Sequence, residues 1–237
     1  VKGKNLSDSD VKEVKENDTE NKDASIEVTD LDHFTIFVVV SPTPVGPACI
    51  TAGATSGSDC YSTIQQAINV ATTGSTILVK DGTYTENLII SGKEDLLIEG
   101  ESKSGTIIET NGTWGIAIDS GSEEITFKDV TIRDAAAVSG YHIKAYNSED
   151  LSFTNVDLIG NNASGRGGLD FNSTPGVSLD TVSISHYRKN GLSFTAKCNT
   201  SLVTKDVDIK DVTIDDIGWS GMAFYTVAGP SCGSATE

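Results

Sequence analysis

Two sets of side chains in this sequence have the types needed to move protons. The carboxylates are Asp170, Asp215 and Asp216, and the basic groups are His186, Arg188 and Lys189. Two carboxyl groups about 5 Å apart can hydrolyse a glycosidic bond with retention, and two roughly 6.5–9.5 Å apart can do so with inversion. An elimination needs something different, a cation on clustered oxygens and a base to take the α-proton. Ca²⁺ would be that cation and His186, Arg188 or Lys189 the base; outside that case the sequence implies no cofactor. A third chemistry is recognition, because aromatic faces stack on sugar rings. Trp219, Tyr225 and Tyr187 offer such faces, with Asn172 as a polar partner.

Each of these residues also has a plainer reading. Asp215-Asp216 fits a solvated turn, His186 a surface loop, and Trp219 a ring tucked under a turn. The histidines, His33, His142 and His186, are too scattered to imply a metal site. No glycine-rich phosphate loop, zinc-spaced Cys/His set or Ser/His/Asp nucleophile signature is present.

The elements that must position these residues begin in residues 62–100. Ser62 and Gln65 have capping-box spacing. Ile64, Ala67, Ile68 and Ala71 fall at i, i+3, i+4 and i+7, which predicts a short amphipathic helix that Gly74 ends. The period then changes. Residues 76–79, 86–90 and 96–99 read as short strands, and residues 80–83 as a turn.

This stretch resembles the N-terminal cap and first coil of the right-handed parallel β-helix, pectin lyase-like superfamily. Members carry an IQxAIN-A-x-x-G-x-T-I-x-V-x-x-G-x-Y-x-E-N pattern. It is matched here by Ile64-Gln65, Ala67-Ile68-Asn69, Ala71, Gly74, Thr76-Ile77, Val79, Gly82, Tyr84 and Glu86-Asn87. The resemblance implies the fold, and a polysaccharide lying across one parallel sheet. It does not carry the catalysis, since one fold hosts many activities. The Asn-Thr-Asp, Asp-Asp, Gly-His-Gly and Arg-Ile-Lys motifs of polygalacturonases are absent as a set, and no pectate lyase calcium triad is matched. The family branch implied is a non-enzymatic or unassigned surface protein.

Repeats extend the solenoid reading. A glycine-apolar-x-apolar element recurs at Gly115, Gly140, Gly168, Gly191 and Gly221. A second element, typified by ITFKDVTI at Ile125, recurs at Leu151, Val177 and Val207, in steps of 26, 26 and 30 residues. A period of this length marks stacked units that bury their apolar faces only against neighbours. Strict alternation gives every strand one inward and one outward face. Lys128-Asp129, between the two halves of the second element, is where a coil would bend from one sheet to the next. The outward set predicted on the first element is Asp119, His142 or Lys144, Asp170, Asn172, Ser193, Thr195 and Tyr225. The fold predicted is therefore an all-β parallel β-helix of about five coils with an N-terminal capping helix. An antiparallel sandwich would not explain the phased recurrence. No matching seal follows the last repeat, so further coils, a partner or the terminal loop is expected to cover that end.

Residues 1–40 are expected to form an acidic, largely disordered segment ending in a remnant strand of an upstream domain, HFTIFVVV. Residues 41–48 form a Pro-rich linker, and residues 49–237 form the β-helix domain. Val1 and the missing signal peptide suggest a processed product or a piece of a longer chain with further domains. The longest apolar run, residues 34–40, is far short of the ~20 residues of a membrane span. The net charge of -17, with no basic cluster, argues against a nucleic-acid partner. Four cysteines allow three pairings. Cys49 and Cys60 bracket a Gly/Ser-rich loop that a disulfide would close, with two free thiols as the other reading. Cys198 and Cys232 follow successive repeats and would lie near disulfide reach on stacked coils. These cysteines, with sequons at Asn5, Asn17, Asn111, Asn162, Asn172 and Asn199, lean toward an extracellular or cell-surface setting.

The function expected is carbohydrate-facing binding or adhesion. The alternatives are a polysaccharide lyase or glycoside hydrolase acting on acidic polysaccharide, with its site around Asp170, His186, Arg188, Asp215 and Asp216, and a structural spacer.

Overall fold

The computed structural model describes residues 46–52, 59–119, 121–197 and 204–227. The segment 1–40, most of the linker and the Cys198–Cys232 pair lie outside the described residues. So does whatever follows the last repeat.

The first described elements are an antiparallel hairpin, β1 (Ala48–Ala52) and β2 (Asp59–Tyr61), then helix α1 (Ile64–Val70). Three strands follow: β3 (Thr76–Val79), β4 (Gly82–Thr85) and β5 (Leu88–Ser91). The next turn contains β6 (Glu94–Gly100), β7 (Thr106–Thr110) and β8 (Ile116–Asp119). Long and short strands then alternate: β9 (Glu123–Asp134), β10 (Gly140–Tyr146), β11 (Leu151–Ile159), β12 (Arg166–Asn172), β13 (Val177–Tyr187) and β14 (Leu192–Lys197). The last are β15 (Val207–Lys210), β16 (Thr213–Ile217) and β17 (Met222–Val227).

Among the described residues these strands form two sheets, one of eleven strands and one of six. From β3 onward every pairing between strands of successive turns is parallel. The path β3, β6, β9, β11, β13, β15 takes five steps along one sheet, while β5, β8, β10, β12, β14 and β17 stack in the other. This is an all-β solenoid of about five turns with almost no helix. Its interior is filled by stacked ladders, such as Leu96 on Ile125 and Phe127 on Phe153, where the rings are 5.6 Å apart and nearly parallel. A second ring ladder runs Phe171, Phe194, Phe224 at 5.4 and 5.1 Å.

The second repeat keeps the predicted register, with Leu151 opposite Val177 and Val177 opposite Val207. The bend expected at Lys128-Asp129 is present, yet both halves of β9 stay within the eleven-stranded sheet. The bend comes from left-handed backbone at Asp129, Asn155, Thr181 and Asp211, with φ of 54°, 53°, 59° and 52°. Asp and Asn tolerate that region better than most residues, so the corner is built from short polar side chains.

Several local expectations are corrected. Residues 80–83 are not all turn, because β4 starts at Gly82. The helix N-cap is Thr63 rather than Ser62, and its Oγ1 accepts from the Gln66 amide at 3.1 Å. Gln65 instead clamps the edge of β5, donating to the Ile89 carbonyl and accepting from the Ile89 amide. The open amides of Ile64 and Gln65 donate to the two Glu86 carboxylate oxygens, both at 3.0 Å. That arrangement places a negative charge at the positive end of α1. The helix ends at Val70 with Ala71 as C-cap, ahead of Gly74. The apolar stripe is as predicted, with Ile64, Ala67, Ile68 and Ala71 buried.

Cys49 and Cys60 are directly opposite and disulfide-bonded. β1 adds antiparallel to β3, so the first parallel strand does not leave a bare edge on that side.

Candidate functional site on the six-stranded sheet

In the six-stranded sheet one outward column runs Ile89, Ala117, Lys144, Asp170, Ser193, Ala223. The next contains Ser91 opposite Asp119, Tyr146 opposite Asn172, and Asn172, Thr195 and Tyr225 in line. Strand alternation sets these columns; of the two alternatives His142 and Lys144, Lys144 stands in the outward column, while Asp170, Asn172 and Ser193 in these columns are almost wholly covered. Gly140 is two residues out of phase with Gly115 and Gly168: Ile143 pairs with Ile116 and with Leu169. Lys144 therefore faces out, and His142 occupies the inward slot that glycine fills in the neighbouring turns. That slot is tight; a Cβ on Gly168 would lie 2.3 Å from the Gly191 carbonyl oxygen.

His142 fits because the chain builds a polar chamber around it. Its Nδ1 is 2.6 Å from the Tyr187 hydroxyl, and its Nε2 is 3.7 Å from Asp134 Oδ1. Arg166 completes the chamber, with Nε 3.0 Å from Asp134 Oδ2 and Nη2 donating to Asp134 Oδ1. Its Nη1 donates to the carbonyls of Gly112, Thr113, Ser139 and Tyr141. All four side chains are fully buried. Burial pushes the Asp134 carboxyl up against the pull of Arg166. Burial, then the Arg166 charge, holds the His142 imidazole well below its ordinary value, so it is neutral. The Tyr187 phenol is held well above its ordinary value by burial and by Asp134. Tyr187, predicted as a sugar-stacking ring, thus faces the interior and is unavailable to a surface ligand.

On the outer face, Trp114 stands just before β8 with 53% of its surface exposed. It borders a groove of about 300 Å³ lined by Trp114, Ala117, Ile118, Asp119, Lys144 and Tyr146. Lys144 Nζ lies 5.2 Å from the Trp114 ring centroid and 3.7 Å from Asp170 Oδ2. A second aromatic group surrounds Lys189, whose Nζ lies 5.8 Å from the Tyr141 ring and 5.9 Å from the Trp219 ring. Asn190 Nδ2 donates to the Tyr225 hydroxyl at 2.9 Å and to the Tyr141 hydroxyl at 3.4 Å. Burial, with Asp170 and Tyr225 nearby, raises the Tyr141 phenol; Ser193 and Asn190 hydrogen bonds oppose that. Asn172 is almost covered and its Oδ1 has no hydrogen-bond partner.

The candidate catalytic residues fall in two places. Asp170 lies on the six-stranded face, beside Lys144. His186, Arg188 and Asp216 meet elsewhere, at the ends of β13 and β16. Asp216 accepts from Asn162 at 3.1 Å and Arg188 at 3.3 Å, with His186 Nε2 at 3.9 Å. The Asn162 hydrogen bond, followed by the Arg188 and His186 charges, lowers the Asp216 carboxyl below its ordinary value. A carboxylate held ionised by two donors is a weak proton acceptor. Asp215 pairs in register with Ser185 and is exposed. On the face itself Asp119 and Asp170 are separated by β10, about two strand spacings or roughly 10 Å between backbones. Lys144 stands between them. Among the described residues no three His, Cys, Asp or Glu side chains group to hold a metal ion.

Trp114 and the Asp134–His142–Arg166–Tyr187 chamber were not foreseen. Trp114 immediately precedes Gly115 of the first repeat, so its flanking position was readable from the repeat phase. Arg166 sits in a Gly/Ser/Asn-rich connection that reads as solvated.

The chain is similar to pectin methylesterase in complex with hexasaccharide VII, with 18% identity and a TM-score of 0.41, over 64% of this chain and 63% of that chain. A mutant pectin methylesterase in complex with hexasaccharide IV gives 16% identity and a TM-score of 0.41, over 64% and 63%. The chain thus spans about 63% of the length of these structures. No protein-family model and no curated protein matches the sequence. The strands define the architecture: parallel pairing turn upon turn is a parallel β-helix. No helix among the described residues is long and apolar enough to cross a membrane.

Proposed function

We propose that this protein is an extracellular or cell-surface β-helix that binds carbohydrate on the outer face of its six-stranded sheet without cleaving it. The observation that carries this reading is the Trp114 groove. It is an exposed indole beside Tyr146, with Lys144 and Asp119 at its wall and Asp170 paired with Lys144 rather than converging on Asp119. Indole and phenol rings stack on pyranose faces, and the flanking polar groups orient hydroxyls. Lys189, Tyr141, Trp219, Tyr225 and Asn190 extend the same surface.

The Cys49–Cys60 disulfide supports an oxidising compartment. We read the winding as right-handed, the hand that parallel crossovers take, and α1 as the seal over the first turn. The reading requires no cofactor.

The test is a glycan array run beside reducing-sugar and unsaturated-product assays on the same purified protein, with and without calcium. Binding without turnover, lost in Trp114→Ala, supports the proposal. Turnover would assign an enzyme instead, and absence of any signal would favour a spacer.

A further inference from the structure

The charge and hydrogen-bond state of the groove bear on which sugars it admits. Lys144 is the cation that lines it, and that ammonium already faces Asp170 Oδ2 at 3.7 Å. Asp119 also lines the groove, and its Oδ1 is shielded from water with no hydrogen-bond partner. Its negative charge is therefore undercompensated, and it favours an incoming donor over an incoming anion. Two carboxylates and one ammonium leave the site anionic, on a chain of net charge -17. A carboxylate beside an aromatic platform matches a ring whose periphery is made of hydroxyl donors.

We infer that the Trp114 groove selects uncharged pyranose units over uronates, with the Asp119 carboxylate accepting a hydrogen bond from a sugar hydroxyl through Oδ2, the oxygen that is not covered. A uronate brings a carboxylate that cannot donate and that meets Asp119 and the surrounding negative field. A neutral hexose or N-acetylhexosamine brings only donors and weak acceptors. This inference rests on the carbohydrate-binding reading above.

The experiment is calorimetric titration of the full chain with cellohexaose, mannohexaose, N-acetylchitohexaose and hexagalacturonate, at low and at elevated NaCl. At least one neutral hexasaccharide is expected to bind at least about tenfold more tightly than hexagalacturonate at low salt, the value of one hydrogen bond to a charged group. The gap should narrow at higher salt as screening grows. Asp119→Asn, which keeps the shape and removes the charge, should weaken the neutral ligand about tenfold and strengthen hexagalacturonate. Hexagalacturonate binding equally or more tightly, with loss in Trp114→Ala, would overturn the selectivity and leave carbohydrate binding standing. So would a neutral ligand indifferent to Asp119→Asn. No binding by any of the four would remove the carbohydrate reading itself.

Discussion

Replacing Arg166 with Met tests how the turns of this solenoid are held together. Arg166 is fully buried and donates to Asp134, to Thr110 Oγ1 at 3.5 Å and to four main-chain carbonyls from two neighbouring turns. Met fills a similar length and makes none of these bonds. Asp134 would then be left buried without its counter-ion, which costs about 3–5 kcal/mol. Orphaned carbonyls cost about 1–3 kcal/mol each where water cannot reach them, and these costs do not simply add. Against a total stability of about 5–15 kcal/mol, the expected loss of about 5 kcal/mol or more is most of the fold's margin. Arg133→Met is the control. Arg133 also donates twice to a carboxylate, from Nε and Nη2 to the single oxygen Oε1 of Glu109 at 2.8 and 2.5 Å, but its side chain is 42% exposed. That pair should contribute no more than about 1 kcal/mol. The assay is urea unfolding at pH 7.5 followed by tryptophan fluorescence and far-UV circular dichroism, comparing midpoints and slopes. Adding Asp134→Asn to Arg166→Met should recover about 2 kcal/mol or more, because the stranded charge is gone. If Arg166→Met costs less than about 1 kcal/mol, or matches Arg133→Met, the chamber is not what joins these turns.

The same chamber makes a pH prediction. His142 is neutral in the fold with its pKa depressed, while in the unfolded chain it titrates near 6.5. Its contribution is therefore present above about pH 6.5 and is lost as pH falls below it, by up to about 1.4 kcal/mol per pH unit. Urea midpoints measured from pH 7.5 to 5 should fall less steeply in His142→Gln, and equal slopes would remove His142 as the cause. At the other end of the chain, Glu86→Ala strips the acceptor from two helix amides and should lower stability by about 1 kcal/mol, measured by thermal melting. Glu123 has a raised pKa, through desolvation first and then Glu149, Glu124, Glu94 and Asp150. Glu123→Gln should therefore raise the melting temperature at neutral pH and low salt, and the gain should shrink as salt is added. Non-reducing peptide mapping should recover Cys198 joined to Cys232; both alkylated as free thiols would rule that pair out.

Much of the architecture is legible in the sequence because a solenoid writes its register into its period. The elements at Ile125, Leu151, Val177 and Val207 stack as their spacing predicts, since each apolar residue has one inward slot and a slip of one would expose it. The misphased turn is equally instructive. Gly140 offered the expected glycine, but the strand slides two residues and inserts His142, because Tyr187, Asp134 and Arg166 supply a polar interior there. No local pattern announces that, since Arg166 and Tyr187 come from the two turns that follow. The same long-range packing turns Tyr187 from a candidate surface ring into a core residue. Arg166 was hidden for the opposite reason, a charge in a polar loop being solvated in most contexts. The proposed site depended on one residue, Trp114, outside the alternating strand yet in phase with it. Asp170 with Asp215 or Asp216 did not meet, because Asp170 belongs to the six-stranded sheet and the others to the eleven-stranded one.

The most direct test of the account is hydroxyl-radical footprinting of the protein with and without its tightest-binding hexasaccharide from the array. The account predicts protection concentrated at Trp114 and Tyr146, with His186 and the Arg188–Asp216 segment unchanged. Protection centred on His186, Arg188 and Asp216, with Trp114 as reactive as in the free protein, would contradict it.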